Sequence, residues 1–175
     1  MEEPSASAPS WPLIKVVGIS ASGKSTLVKK LRNAGYEARP VSQEHSDVPD
    51  LWQQFGRPAI LIYLEVSLEA QRERRPDVNW DARYLQTERL RLAHARDHAQ
   101  LKINTSAIEP DIVWKIAKVF LERERIPHAD HPLSGGKVTG SALLTTDVED
   151  LEQPKTAESA QQPKHKRKRK KRSAL

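Results

Sequence analysis

The amino-acid sequence predicts a three-layer α/β/α domain, a small parallel sheet covered by helices on both faces, followed by a disordered basic C-terminal tail. Three observations carry that expectation. Short β-branched apolar runs alternate with helical stretches, the pattern of strands joined by helical crossovers. The run Ala59–Val66 is apolar almost throughout, as a strand is when neither face meets water. Apolar periodicity then stops near Ile126, and the rest is rich in Pro, Gly, Ser, Thr and Gln before it ends in a run of cations.

Each element has a local reason. Leu13–Gly18 is a short β-branched run and reads as a buried first strand. Lys24–Asn33 is helical, with Leu27, Val28 and Leu31 on one face, and Gly35 stops it as a C-terminal glycine does. Tyr36–Ser42 reads as a second strand and Val48–Phe55 as a short helix. Ser67 can cap a helix running through Arg74. Trp80–Gln100 is one long arginine-rich helix or two shorter ones, and Leu101–Asn104 is a short strand. Pro110, suited to a first helical position, opens the last helix. Its Ile112, Val113, Ile116, Ala117 and Phe120 predict a stripe facing the core.

The chain has 175 residues, enough for one domain and a tail. We expect a disordered N-terminus over 1–11, a folded domain over 12–126 and a mostly disordered tail over 127–175, with Ser141–Thr145 as a candidate docking segment. The absence of cysteine excludes a disulfide scaffold and cysteine-ligated metal. The net charge of +6 divides unevenly: 164–172 holds 8 Lys or Arg and no acid, which leaves −2 for everything else. Basicity is therefore a property of the tail. The longest apolar run, Ala59–Leu64, is too short to cross a bilayer, and the acidic start lacks the apolar core of a secretory signal. A cytoplasmic protein is expected.

Gly18-Ile-Ser-Ala-Ser-Gly-Lys-Ser-Thr26 fits G-x-x-x-x-G-K-[ST] without a mismatch. Gly18 and Gly23 let the backbone turn tightly and approach a phosphate with no Cβ in the way. Successive amides and the N-terminus of the following helix offer partial positive charge to phosphate oxygens. Lys24 would reach the β and γ phosphates, and the Ser25 hydroxyl would ligate Mg²⁺. The context is what the motif needs: a buried strand before it and a helix after it. The later Ser134-Gly-Gly-Lys137 has neither and reads as linker.

The arrangement resembles the nucleotide-kinase-like branch of the P-loop NTPases, the small kinases similar to adenylate, cytidylate and shikimate kinases. Three stretches carry the resemblance, VVGISASGKSTLVKKL, ILIYLEVSLEAQRERR and LKINTSAIEPDIVWKIAKVFLE, across about Pro12–Glu122. It implies a P-loop kinase-like fold and phosphoryl transfer from ATP, with Mg²⁺, to a nucleotide or other small hydroxyl acceptor. The implied nucleotide site is Gly18, Ser20, Ala21, Ser22, Gly23, Lys24, Ser25 and Thr26. Lid arginines would neutralise the transferring phosphate. Of the chain's 15 arginines, 7 fall between positions 72 and 96, and Arg75, at the end of the helix after the apolar strand, is the first candidate. The chain departs from the pattern in having no separate Asp-bearing strand between Ser42 and Ala59. Two carboxylates can substitute: Glu65, at the carboxyl end of the apolar strand, for the metal, and Glu44 for positioning the acceptor hydroxyl. Asn104–Ala107 would flank the adenine.

Two other readings stand beside the kinase. One is a nucleotide-binding module that hydrolyses slowly and touches nucleic acid through 164–172. That contact would be nonspecific, because the run has no aromatic side chain to stack a base. The other makes the tail the functional part and the core a scaffold. His94 and His98 have the i,i+4 spacing of metal ligands but lack a third ligand, so surface or lid positions are expected. Trp52 and Phe55 are expected to pack the short helix, Trp80 and Trp114 the core. Glu88 is expected in an exposed pairing with Arg91.

Overall fold

The computed structural model describes residues 10–134. The expectations for residues 1–9, for Ser141–Thr145 and for the basic run 164–172 lie outside the described residues. Within them the chain is α/β. Strands β1 (Ile14–Gly18), β2 (Ala38–Pro40), β3 (Ile60–Glu65) and β4 (Leu101–Asn104) form one sheet in the order β2-β1-β3-β4. All three pairings are parallel. Helices α1 (Lys24–Asn33), α2 (Leu68–Arg74), α3 (Ala82–His98) and α4 (Pro110–Arg123) make the connections and close the fold. The order of connection reverses between the neighbouring strands β1 and β3, and open α/β sheets place ligands beyond the carboxyl ends of the strands at such a point.

Strand alternation sorts side chains into two cores. Ile14, Val16, Ile62 and Leu64 face one way and pack with Leu27, Val28 and Leu31 of α1 and Val113, Ala117 and Leu121 of α4. Val17, Leu61 and Tyr63 face the other way and meet Trp52 and Leu85, Leu92 and Ala95 of α3. The sheet is thus covered on both faces. Each fully buried aliphatic side chain stabilises this arrangement by about 1.5–3 kcal/mol.

Local signals set the helix ends. Gly35 has φ 87°, Tyr36 N–H donates to Leu31 O at 3.0 Å and Gly35 N–H to Arg32 O at 3.0 Å, the paired bonds of a Schellman stop. The Ser67 hydroxyl accepts from Ala70 N–H at 3.2 Å and starts α2. Asp81 caps α3 through Tyr84 N–H at 2.6 Å, and α3 is one helix rather than two. Pro110 opens α4.

Three details differ from the expectation. In α4 the buried stripe is Val113, Ala117 and Leu121, while Ile112 and Ile116 are exposed. Apolar residues line most of that helix, so the sequence alone left its inward face ambiguous. The Val48–Phe55 stretch holds only a 3₁₀ turn, Leu51–Gln53. Trp52 is buried there but Phe55 is exposed. The chain also stays packed past Ile126: Ala129 is buried, its N–H donates to Gly35 O at 2.9 Å, and Leu133 N–H donates to Arg32 O at 2.9 Å. A Cβ on Gly35 would lie 2.0 Å from Ala129 O, so this return of the chain depends on the same glycine that ends α1.

One charged group lies inside the sheet. Lys15 of β1 is buried and donates to Trp52 O at 2.9 Å and Gln54 O at 2.5 Å. Burial first, and then the charge of Arg39, lower its pKa to about 8. The lysine satisfies carbonyls at the end of the 3₁₀ turn and fastens the 43–54 segment to the sheet. No helix among the described residues is long and apolar enough to cross a membrane.

Candidate functional site

The Gly18–Thr26 loop leaves the carboxyl end of β1 and turns directly into α1. Gly18 pairs with Leu64 in the neighbouring strand, and a Cβ on it would lie 2.3 Å from Leu64 O. Only glycine fits that approach. Ile19 N–H donates to Leu64 O at 3.1 Å and Ser22 N–H to Ile19 O at 3.1 Å, and Ala21 has φ 60°. Gly23, with φ 93°, is the N-cap of α1 and provides no side-chain cap. The first amides of α1 therefore lack the usual side-chain acceptor. Ser25 and Thr26 are exposed on the first turn, whereas Ser20 and Ser22 are buried. The Ser22 hydroxyl has no hydrogen-bond partner.

Lys24 folds back over the loop. Its ammonium donates to Gly18 O at 2.9 Å and Ile19 O at 3.1 Å, and pairs with Glu44 Oε1 at 2.6 Å. Glu44 sits on a 3₁₀ turn, Gln43–His45, just after β2. The turn is held by its buried neighbour Gln43. That amide donates to Val48 O at 2.7 Å and accepts from Trp52 N–H at 3.1 Å. Glu44 is 3% exposed, and its second oxygen, Oε2, is buried without a partner. His45 Nε2 lies 3.7 Å from Oε1, and Tyr84 OH lies 3.5 Å from His45 Nδ1.

A residue expected at the surface completes this side. Glu88 of α3 is 0% exposed and accepts hydrogen bonds from the Ser20 hydroxyl, from Ser20 N–H at 3.4 Å and from the Gln71 amide at 3.4 Å. Gln71 also donates to Ser20 O at 3.1 Å. Burial pushes the Glu88 carboxyl above its ordinary range, the Ser20 bond opposes that, and Glu44 adds to it. The expected pairing of Glu88 with Arg91 is not what is seen: Arg91 reaches Asp47 at 2.8 Å. The signal lay in the spacing. Leu85, Glu88, Leu92 and Ala95 share the buried stripe of α3.

The arginines divide. Arg74 donates to Ala21 O at 2.9 Å, to Thr105 Oγ1 at 3.1 Å and to Thr105 O, so it ties the loop to the segment after β4. Thr105 is buried, with its hydroxyl 3.1 Å from the carbonyls of Ser22 and of Glu65. Arg75, at the C-terminal end of α2, forms a two-pronged pair with Asp77, Nε to Oδ1 at 3.0 Å and Nη2 to Oδ2 at 2.9 Å. Arg72 donates twice to Trp80 O. Glu65, the expected metal ligand, accepts from Arg89 at 3.0 and 2.7 Å through Oε1 and from Tyr63 OH at 2.5 Å through Oε2. Both of its oxygens are engaged. Asn104, expected near an adenine, accepts from Ser106 N–H at 3.0 Å and from its hydroxyl at 2.6 Å.

His94 is half-buried against Trp52 and His98. Its Nδ1 accepts from the Trp52 indole at 3.0 Å, and its ring packs on His98 with centroids 4.3 Å apart. Among the described residues no group of three or more His, Asp or Glu could hold a metal ion. The mutual arrangement of Lys24, Glu44, Ser20 and Glu88 nonetheless brings together a cation, two buried carboxylates and a loop of backbone amides. Such a constellation can take an anion at the loop and a hydroxyl at a carboxylate. No family model matches this chain, and no curated protein matches it.

Proposed function

We propose that the Gly18–Thr26 loop binds the phosphates of ATP and that the chain is a small ATP- and Mg²⁺-dependent kinase of the P-loop kinase-like class. The observation that carries this reading is Lys24 Nζ lying 2.6 Å from the carboxylate of the buried Glu44, over a glycine-bounded loop. A buried carboxylate with one unpartnered oxygen beside such a lysine is a costly arrangement for a purely structural site. It suits one that awaits a hydroxyl donor.

The residues fit the implied groups. Lys24 and the loop amides would hold the triphosphate, and the Ser25 hydroxyl, exposed on α1, would ligate Mg²⁺. Magnesium takes few protein ligands when phosphate oxygens and water supply the rest, so a carboxylate cluster is not needed. When bound, it neutralises charge on the phosphate oxygens. Glu65 could join it only after release from Arg89. Arg74, already bonded to the loop, and Arg75 are the guanidinium groups proposed to offset charge at the transferring phosphate. The acceptor oxygen would attack the γ-phosphorus while the bond to the β–γ bridging oxygen breaks. ADP leaves, and the hydroxyl proton passes to Glu44.

The test is ADP release by the full chain, with Mg²⁺, across nucleosides, nucleoside monophosphates and small hydroxyl metabolites. At least one acceptor is expected to raise the rate well above the acceptor-free level. Unchanged turnover across the panel would contradict the kinase reading and favour a nucleotide-binding module, with 164–172 as its nonspecific nucleic-acid contact.

A further inference from the structure

Lys24 has no hydrogen to spare. Its ammonium carries three, and Gly18 O, Ile19 O and Glu44 Oε1 supply three acceptors at 2.9, 3.1 and 2.6 Å. A phosphate oxygen therefore has to replace one of them. Two are neutral carbonyls of the loop itself, which the ammonium can keep as a phosphate arrives. Gly18 is fixed there by its packing against Leu64. The third is a side chain from a separate turn, and it bears the same sign of charge as the incoming phosphate. Glu44 is the acceptor that gives way.

Its surroundings bear on where it goes. Glu44 is 3% exposed, and Oε2 has no partner. Around it stand Glu88, whose charge repels it, and His45, whose Nε2 at 3.7 Å from Oε1 is beyond a hydrogen bond and whose Nδ1 lies 3.5 Å from Tyr84 OH. Once separated from Lys24, the carboxylate lacks a donor on either oxygen and has to acquire one. We infer that the Lys24–Glu44 ion pair is a resting lock: the triphosphate takes Lys24, and the carboxylate so released captures the acceptor hydroxyl, so nucleotide binds first and prepares the acceptor site. This rests on the nucleotide reading above and adds to it an order of binding. The coupling runs both ways, since whatever competes with Glu44 for Lys24 must also be disfavoured by it.

The lock makes a prediction that a structural role for Glu44 does not. In the full chain, Glu44→Gln should bind the Mg²⁺ complex of a non-hydrolysable ATP analogue about tenfold more tightly than the unaltered protein, by titration calorimetry. Glu44→Asp, whose shorter side chain stretches the pair, should tighten binding less, and it serves if the Gln variant does not fold. Glu88→Gln removes a nearby buried charge that does not touch Lys24 and should not tighten binding. Equal or weaker affinity in the Glu44 variants, or equal tightening in Glu88→Gln, overturns the lock while leaving the nucleotide site standing. Absence of analogue binding by the unaltered chain overturns both.

Discussion

Lys24→Ala is expected to abolish the ATP-induced rise in melting temperature and, separately, to lower the melting temperature of the nucleotide-free protein. The first effect follows from binding linkage. At a hundredfold excess over Kd a ligand stabilises its protein by about 2.7 kcal/mol, and a chain of this size gains several degrees from that. Without the ammonium the phosphates keep only the loop amides. The second effect follows from burial. The Lys24 and Glu44 side chains are 12% and 4% exposed, so removing the cation strands a carboxylate in the interior. Breaking one side of a buried pair costs about 3–5 kcal/mol. The two effects separate in the double variant Lys24→Ala/Glu44→Gln. It should recover much of the lost stability without recovering the ATP response. Thermal denaturation of the three proteins with and without Mg²⁺ and ATP checks both. An unchanged ATP shift in Lys24→Ala would remove the lysine from the site.

Glu88→Ala is expected to destabilise the protein by about 3 kcal/mol, read as a lower urea midpoint at unchanged m. Two contributions compete. The variant loses a carboxylate whose burial is unfavourable, which is why its proton is held above the ordinary range. It also leaves the Ser20 hydroxyl, Ser20 N–H and the Gln71 amide facing a void. Each unsatisfied buried donor costs about 1–3 kcal/mol, so the second contribution wins. The pH dependence has a definite sign. A carboxyl whose folded pKa is raised binds its proton more tightly in the folded state. Its contribution to stability is therefore greatest below the ordinary glutamate range and declines as pH rises through the folded value. Glu88→Gln should lose that decline. Since Ser20 lies in the loop, the same substitutions should weaken ATP binding more than changes of equal stability elsewhere.

Features set by neighbours in sequence were legible before the fold was known. The bounds of α1, the Ser67 cap, the Gly35 stop and the Pro110 start are local chemistry, and each stands where the sequence puts it. The Ala59–Val66 run became β3, one of the two inner strands, because nothing but a two-faced core could accept it. Features set across the sheet were not legible. The Arg89 that engages Glu65 and the partners of Arg74 lie more than 20 positions away in the chain. Glu88 was obscured by company. In an arginine-rich helix an acid suggests a surface pair, and only its register with Leu85 and Leu92 betrays burial. Lys15 is the same lesson in a strand, where a cation amid β-branched residues marks a polar contact across the core.

The account stands on the loop between β1 and α1 holding the phosphates of ATP. Backbone amide chemical shifts of the isotope-labelled full chain, followed while ATP and Mg²⁺ are added, test that residue by residue. The largest changes are predicted at Ser20 to Thr26, saturating together. Saturable changes centred elsewhere, with those amides unmoved, would contradict it.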